Sequence, residues 1–118
     1  MTYRIDISRL AFLDAENVYL WMKTNSEERA NQWFKGLVEA TNSLKEFPNR
    51  CPIVSEGRSF LIEIRQLIYG KGRQQYRIIF GVSVDEQTGE DVVLIYRIKN
   101  ASQKYLSGLE ILGESNDE

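Results

Sequence analysis

Three segments in the second half of the chain alternate apolar and polar residues with a period of two, a pattern that commits them to strands of a sheet. They centre on Glu63-Ile64-Arg65, Tyr76-Arg77-Ile78-Ile79-Phe80 and Tyr96-Arg97-Ile98-Lys99. Successive side chains of a strand point to opposite faces. The alternation therefore groups Phe60, Ile62, Ile64 and Ile68 on one face of the first strand. It groups Tyr76, Ile78, Phe80, Val82 and Val84 on one face of the second, and Val92, Leu94, Tyr96 and Ile98 on one face of the third. The opposite parity carries Glu63, Arg65, Arg77, Arg97 and Lys99. The expected sheet has one apolar face and one face on which four cations and a carboxylate converge.

Such a sheet needs a cover for its apolar face, and the first half of the chain supplies one. Thr2 to Ile7 alternates and predicts a short strand. Ser8 is a good N-cap for a helix over about Arg9 to Lys23, with Leu10, Leu13, Val18, Trp21 and Met22 as its apolar stripe and Asp14 and Glu16 outward. After the Thr24-Asn25-Ser26 turn, Asn25 or Ser26 caps a second helix whose Glu27 and Glu28 suit the positive end of the dipole. Ala30, Trp33, Phe34, Leu37, Val38, Thr41, Leu44 and Phe47 recur at three- and four-residue steps and define its buried face, and Pro48 stops it. Trp21, Trp33 and Phe34 are expected in the core.

Residues 48–59, with Pro48, Pro52 and Gly57, predict a loop. Strands follow over about 60–69, 75–84 and 92–99, joined by links of hairpin length. Residues 101–112 predict a last helical turn or short helix. The expected order is β-α-α-β-β-β, an α+β fold in which a helical hairpin packs on one face of an antiparallel sheet. Residues 1–106 form a single domain and 107–118 an acidic, partly disordered tail.

Composition removes several function classes. The chain has 118 residues, no histidine and one cysteine, Cys51. Without imidazole there is no Ser-His-Asp triad, no Cys-His pair and no paired-histidine ribonuclease mechanism, so proton transfer falls to Lys, Arg, Tyr or carboxylates. No cofactor or metal is implied. A lone cysteine suits a reducing cytoplasm, and no apolar run suggests a membrane. The net charge of −2 is unevenly spread. Four anions and no cation lie in residues 107–118, leaving the remainder near +2 with 15 cations.

On this reading the cationic face binds a phosphodiester and stabilises the charge of a pentacoordinate transition state, a task that suits the planar, always protonated guanidinium. Arg77, on the solvent parity, is expected to be removable without opening a cavity. Lys104 and Tyr105 follow the last strand and can reach the same face, and Lys71 and Arg73 in the intervening turn join Arg97 and Lys104 as further nucleic-acid contacts. Gly70-Lys71-Gly72 is too short for a phosphate-binding loop, so its glycines are turn glycines.

The segments "EIRQL", "QYRIIFGVSVD" and "VVLIYRIKNASQKYL", with the helical pattern "AENVYLW…ANQWFKGLVEATNSLKEFPN", resemble the RelE/ParE superfamily of bacterial type II toxins over roughly residues 2–106. The long paired helices are closer to the ParE-like branch. The resemblance implies a cognate antitoxin that wraps and neutralises the chain, and growth arrest when the chain acts alone. It implies one of two targets. ParE-like members inhibit DNA gyrase and are not nucleases, whereas RelE-like members cut mRNA on the ribosome. On the RelE-like analogy Arg77, Arg65, Lys99 and Tyr105 are the catalytic set. The chain departs from that pattern at Asn100 and Gln103, where many relatives carry His then Arg, and at Glu63, where nucleases tend to carry a cation. The alternative is an interaction module that keeps the fold without toxicity.

Overall fold

The computed structural model describes residues 2–55 and 63–102. Strand β1 (Arg4–Ile7) leads into helices α1 (Arg9–Lys23) and α2 (Glu27–Asn42), followed by short 3₁₀ turns at Ser43–Lys45 and Pro48–Arg50. Strands β2 (Ile53–Val54), β3 (Ile64–Tyr69), β4 (Tyr76–Val84) and β5 (Asp91–Asn100) complete the described chain. Phe60, Ile62, Gln103, Lys104, Tyr105, the expected helix over 101–112 past its first two residues, and the acidic tail lie outside the described residues. Among those described, no helix is long and apolar enough to cross a membrane.

Local chemistry sets the helix starts as expected, whereas α2 ends at Asn42 and passes into the 3₁₀ turn Ser43–Lys45 instead of running on to Pro48. The Ser8 hydroxyl accepts from the Ala11 N–H at 3.0 Å, and the Ser26 hydroxyl accepts from the Arg29 N–H at 3.2 Å. Each satisfies one of the orphan donors of a first helical turn. After α2 the Arg50 guanidinium donates to the carbonyls of Glu46 and Phe47 at 2.7 and 3.1 Å, gathering acceptors that the helix no longer pairs.

The sheet is mixed rather than purely antiparallel, with strand order β1-β5-β4-β3-β2. β1 runs parallel to β5, from Arg4 opposite Val92 to Ile7 opposite Ile95. A parallel pair needs a crossover, and the helical hairpin is part of it. β2 adds two residues antiparallel to β3 within the segment for which the sequence predicts a loop.

The main core lies between the sheet and the hairpin, and joins Ala11 and Ala15 of α1 and Trp33 and Leu37 of α2 to Tyr76, Ile78, Phe80, Val93, Ile95 and Ile98. α1 docks through alanines, with Val18 and Met22 packed beside them, a 4-3-4 spacing that the larger Leu10-Leu13-Trp21 stripe masked in the sequence. Trp33 is buried, but Trp21 and Phe34 are 58% and 40% exposed, correcting their placement in the core. Phe47, expected on the buried face of α2, is 76% exposed.

Two further corrections concern which face each strand presents. Arg65 is paired with Phe80 and Leu67 with Ile78, so Arg65, Leu67 and Tyr69 share the hairpin side of β3. Ile64 and Ile68 therefore lie on the other face. In β5 a bulge shifts the register, since Ile79 pairs with Arg97 while Phe80 pairs with Ile95. The extra residue, Tyr96, flips the parity that follows. Val93, Ile95 and Ile98 thus face the hairpin, while Tyr96 packs with Val54, Ile64 and Ile79 in a second, smaller core. The outer face of the sheet is partly apolar.

Candidate functional site

The four cations expected to converge are divided by the sheet. Arg65, on the hairpin side, has a side chain only 15% exposed. Its Nη1 donates to the carbonyls of Cys51 at 2.6 Å and Asn49 at 3.2 Å, stapling the turn after α2 to β3. Burial pushes the Cys51 thiol up, opposed by the nearby charges of Arg50 and Arg65. That thiol is therefore held protonated and is poorly placed as a nucleophile.

Arg77 lies on the outer face, opposite Ile68 on one side and Lys99 on the other. It is only 6% exposed, and its Nε donates to Gln66 Oε1 at 2.6 Å. The expectation that it stands in solvent and can be cut away without a cavity is corrected by this burial.

Arg97 and Lys99 also belong to the outer face, yet both turn to α1. Beyond Ile7 the β1 strand ends, and α1 runs along the uncovered edge of β5. Arg97 forks onto Asp14, with Nε–Oδ2 at 2.8 Å and Nη2–Oδ1 at 3.0 Å. Lys99 Nζ lies 3.5 Å from Asp14 Oδ1, and the Ile98 N–H donates to Oδ2 at 3.0 Å. The helical pattern predicts Asp14 outward. Its side chain is in fact 10% exposed and gathers four donors, because it flanks the Ala11-Ala15-Val18 face that docks on the sheet. Its signal in the sequence was its position one step from that face, which becomes readable only once the alanines are recognised as the docking residues.

Lys71 and Arg73 are exposed in the turn between β3 and β4. The described part of the expected cationic face thus consists of one nearly sealed arginine and two cations held by a carboxylate. The Tyr76 phenol, buried under the hairpin and hydrogen-bonded to Asn100, is raised by burial, an effect that the Asn100 bond opposes. Burial likewise raises Tyr96. Neither is tuned towards proton transfer near neutral pH.

The larger concavity is apolar. A groove of about 610 Å³ runs between β1 and the hairpin, lined by Tyr3, Ile5 and Ile7, by Ala11, Phe12 and Ala15, and by Phe34, Leu37 and Val38. Ile7, Phe12, Phe34 and Val38 are 54%, 56%, 40% and 42% exposed, so large apolar side chains remain uncovered along it. Arg4 closes one end by pairing with Asp6, Asp85 and Glu90. An extended apolar surface of this kind marks a protein contact more readily than a small-molecule site.

No curated protein matches the chain significantly. A family model described as the ParE toxin of type II toxin-antitoxin system, parDE, matches residues 5–105. That span contains all of β1 but Arg4, the hairpin, most of the groove lining and the Asp14-bound edge of β5, and it accords with the α+β architecture. The chain belongs to the family of ParE toxins of type II toxin–antitoxin systems.

Proposed function

We propose that this toxin arrests growth by inhibiting DNA gyrase through protein–protein contact, and that it does not cleave RNA. The observation that carries this reading is the dispersal of the cations. Arg65 sits on the hairpin side of the sheet, Arg77 is 6% exposed, and Arg97 and Lys99 are paired with Asp14. Ribonuclease chemistry without histidine needs several cations converging on one scissile phosphate, because electrostatic stabilisation must supply most of the rate. Among the described residues only Arg97 and Lys99 meet, and the site where they do is already taken by Asp14. Family membership supports the toxin role and its antitoxin partner.

The helical hairpin is the better candidate for target contact. Leu20 and Trp21 are 50% and 58% exposed on α1, and exposed aromatics of that size supply much of the energy of protein interfaces. The groove of Ile7, Phe12, Phe34 and Val38 suits an apolar segment of the antitoxin. Induction in a bacterium, with supercoiling, translation and mRNA ends followed separately, tests the reading. Loss of supercoiling before any fall in translation is expected. New ribosome-dependent mRNA ends with normal supercoiling would instead make the chain a nuclease, and normal growth at confirmed soluble expression would favour the non-toxic module.

A further inference from the structure

The arrangement around Asp14 is that of an occupied anion site. A bidentate guanidinium, an ammonium and a backbone N–H converge on two oxygens at 2.8, 3.0, 3.5 and 3.0 Å, and the carboxylate that fills the site belongs to the same chain. Such a fork, with one more cation and one amide, matches a phosphate group as well as a carboxylate. Arg97 and Asp14 have side chains only 12% and 10% exposed, so the pair excludes most water, while Lys99 at 25% keeps one side open.

That open side leads into a cavity of about 330 Å³, whose lining includes Asp14, Asn17, Trp21, Lys99 and Asn100. Trp21 is 58% exposed and presents an indole at the rim. Cations beside an aromatic platform are the elements from which single-stranded nucleic acid sites are built. Here the phosphate position is taken.

We propose that Asp14 is an internal phosphate mimic: it fills an anion site made by Arg97, Lys99 and the Ile98 amide, and thereby bars single-stranded RNA from this edge of the sheet. The argument is independent of which target the toxin acts on. It makes Asp14 a specificity-determining residue, acting by occupying donors that would otherwise bind the phosphodiester backbone.

Asp14→Asn is the direct test, because the amide oxygen can still accept from the Ile98 N–H while the charge is lost. Binding of a labelled single-stranded RNA oligonucleotide to the purified chain is measured by anisotropy over a range of salt concentrations. Asp14→Asn is expected to bind at least about tenfold tighter than wild type, since a released charge-assisted contact commonly contributes that much. Its salt dependence should steepen by about 1.4 in log–log slope, roughly 0.7 for each of two freed cations. Asp14→Glu, which restores a carboxylate, should stay at the wild-type affinity. Adding Lys99→Ala to Asp14→Asn should remove much of the gain.

A folded Asp14→Asn protein with wild-type affinity and slope overturns the proposal, as does a gain that survives both Lys99→Ala and Arg97→Gln. Should Asp14→Asn fail to fold, Lys99→Ala in the otherwise unaltered chain decides. An unchanged RNA affinity agrees with a sequestered Lys99. A weakened one shows that Lys99 already meets RNA, and refutes the plug.

Discussion

Arg77→Ala should cost stability, and its effect on toxicity should follow from that cost. The side chain is 6% exposed, and its Nε bonds Gln66 at 2.6 Å across β3 and β4. Truncation removes buried methylenes worth about 0.8 kcal/mol each, or roughly 2 kcal/mol for the stem. Losing a hydrogen bond to a charged donor adds on the order of 1.5–3 kcal/mol. Releasing a guanidinium from a poorly solvated site returns part of that, since burying a charge is itself unfavourable. The net expectation is about 2 kcal/mol of destabilisation, read as a lower urea midpoint at unchanged slope. On heating it corresponds to a fall of roughly 10 °C in Tm. Arg77→Met keeps most of the stem and should lose about half as much. Toxicity per soluble folded molecule should be retained at a temperature where the variant remains folded. A change within about 0.5 kcal/mol would put Arg77 among ordinary surface positions and refute the burial argument. Loss of toxicity at unchanged stability would return Arg77 to the mechanism.

Three further outcomes are expected. A Cβ at Gly36 would collide with the Tyr69 hydroxyl, which donates to the Trp33 carbonyl at 2.8 Å. Gly36→Ala should therefore destabilise by about 1–3 kcal/mol in chemical unfolding despite alanine's better helix propensity, and Tyr69→Phe should relieve part of it, a coupling that a double-mutant cycle measures. The Asp85 carboxyl is held below its usual value by the Gln87 amide and by Arg4, so its contribution is present above the unfolded-state pKa and fades as pH falls through the lower folded value. Asp85→Asn should then lower stability at pH 6, with the difference from wild type shrinking below about pH 4 in paired unfolding curves. Trp21→Ala, exposed and outside the main core, should leave the melting temperature nearly unchanged while weakening growth inhibition; undiminished toxicity would move target contact elsewhere.

The fold was legible where local chemistry acts alone. Ser8 and Ser26 cap as their sequence positions indicate, and α1 begins and ends at the expected residues. β4 and β5 fall within a residue of where alternation puts them, and β3 covers Ile64–Tyr69 of the expected 60–69, with 60–62 outside the described residues. Faces were harder. In β3 the run Leu67-Ile68-Tyr69 is apolar on both parities, so alternation cannot say which side meets the hairpin, and the register with β4 decides it. In β5 the bulge at Tyr96 inserts one residue, and no local signal distinguishes that from an unbroken strand. The β3 error moves Arg65 off the expected phosphate face, whereas the β5 error falls on Val92 to Tyr96 and leaves Arg97 and Lys99 on the outer face. The parallel pairing of β1 with β5, and the capture of Arg97 by Asp14 across 83 positions, are long-range facts that depend on where α1 comes to rest.

The central claim, that this ParE-family chain acts on gyrase by contact and not on RNA by catalysis, is tested most directly with purified components. Relaxed plasmid, DNA gyrase and ATP are combined with increasing amounts of the toxin, and supercoiling is followed on gels. A parallel reaction places the toxin on translating ribosomes and maps mRNA ends. The account predicts dose-dependent loss of supercoiling, reversed by the cognate antitoxin, with intact mRNA. Unimpaired gyrase together with mRNA cut on the ribosome would contradict it.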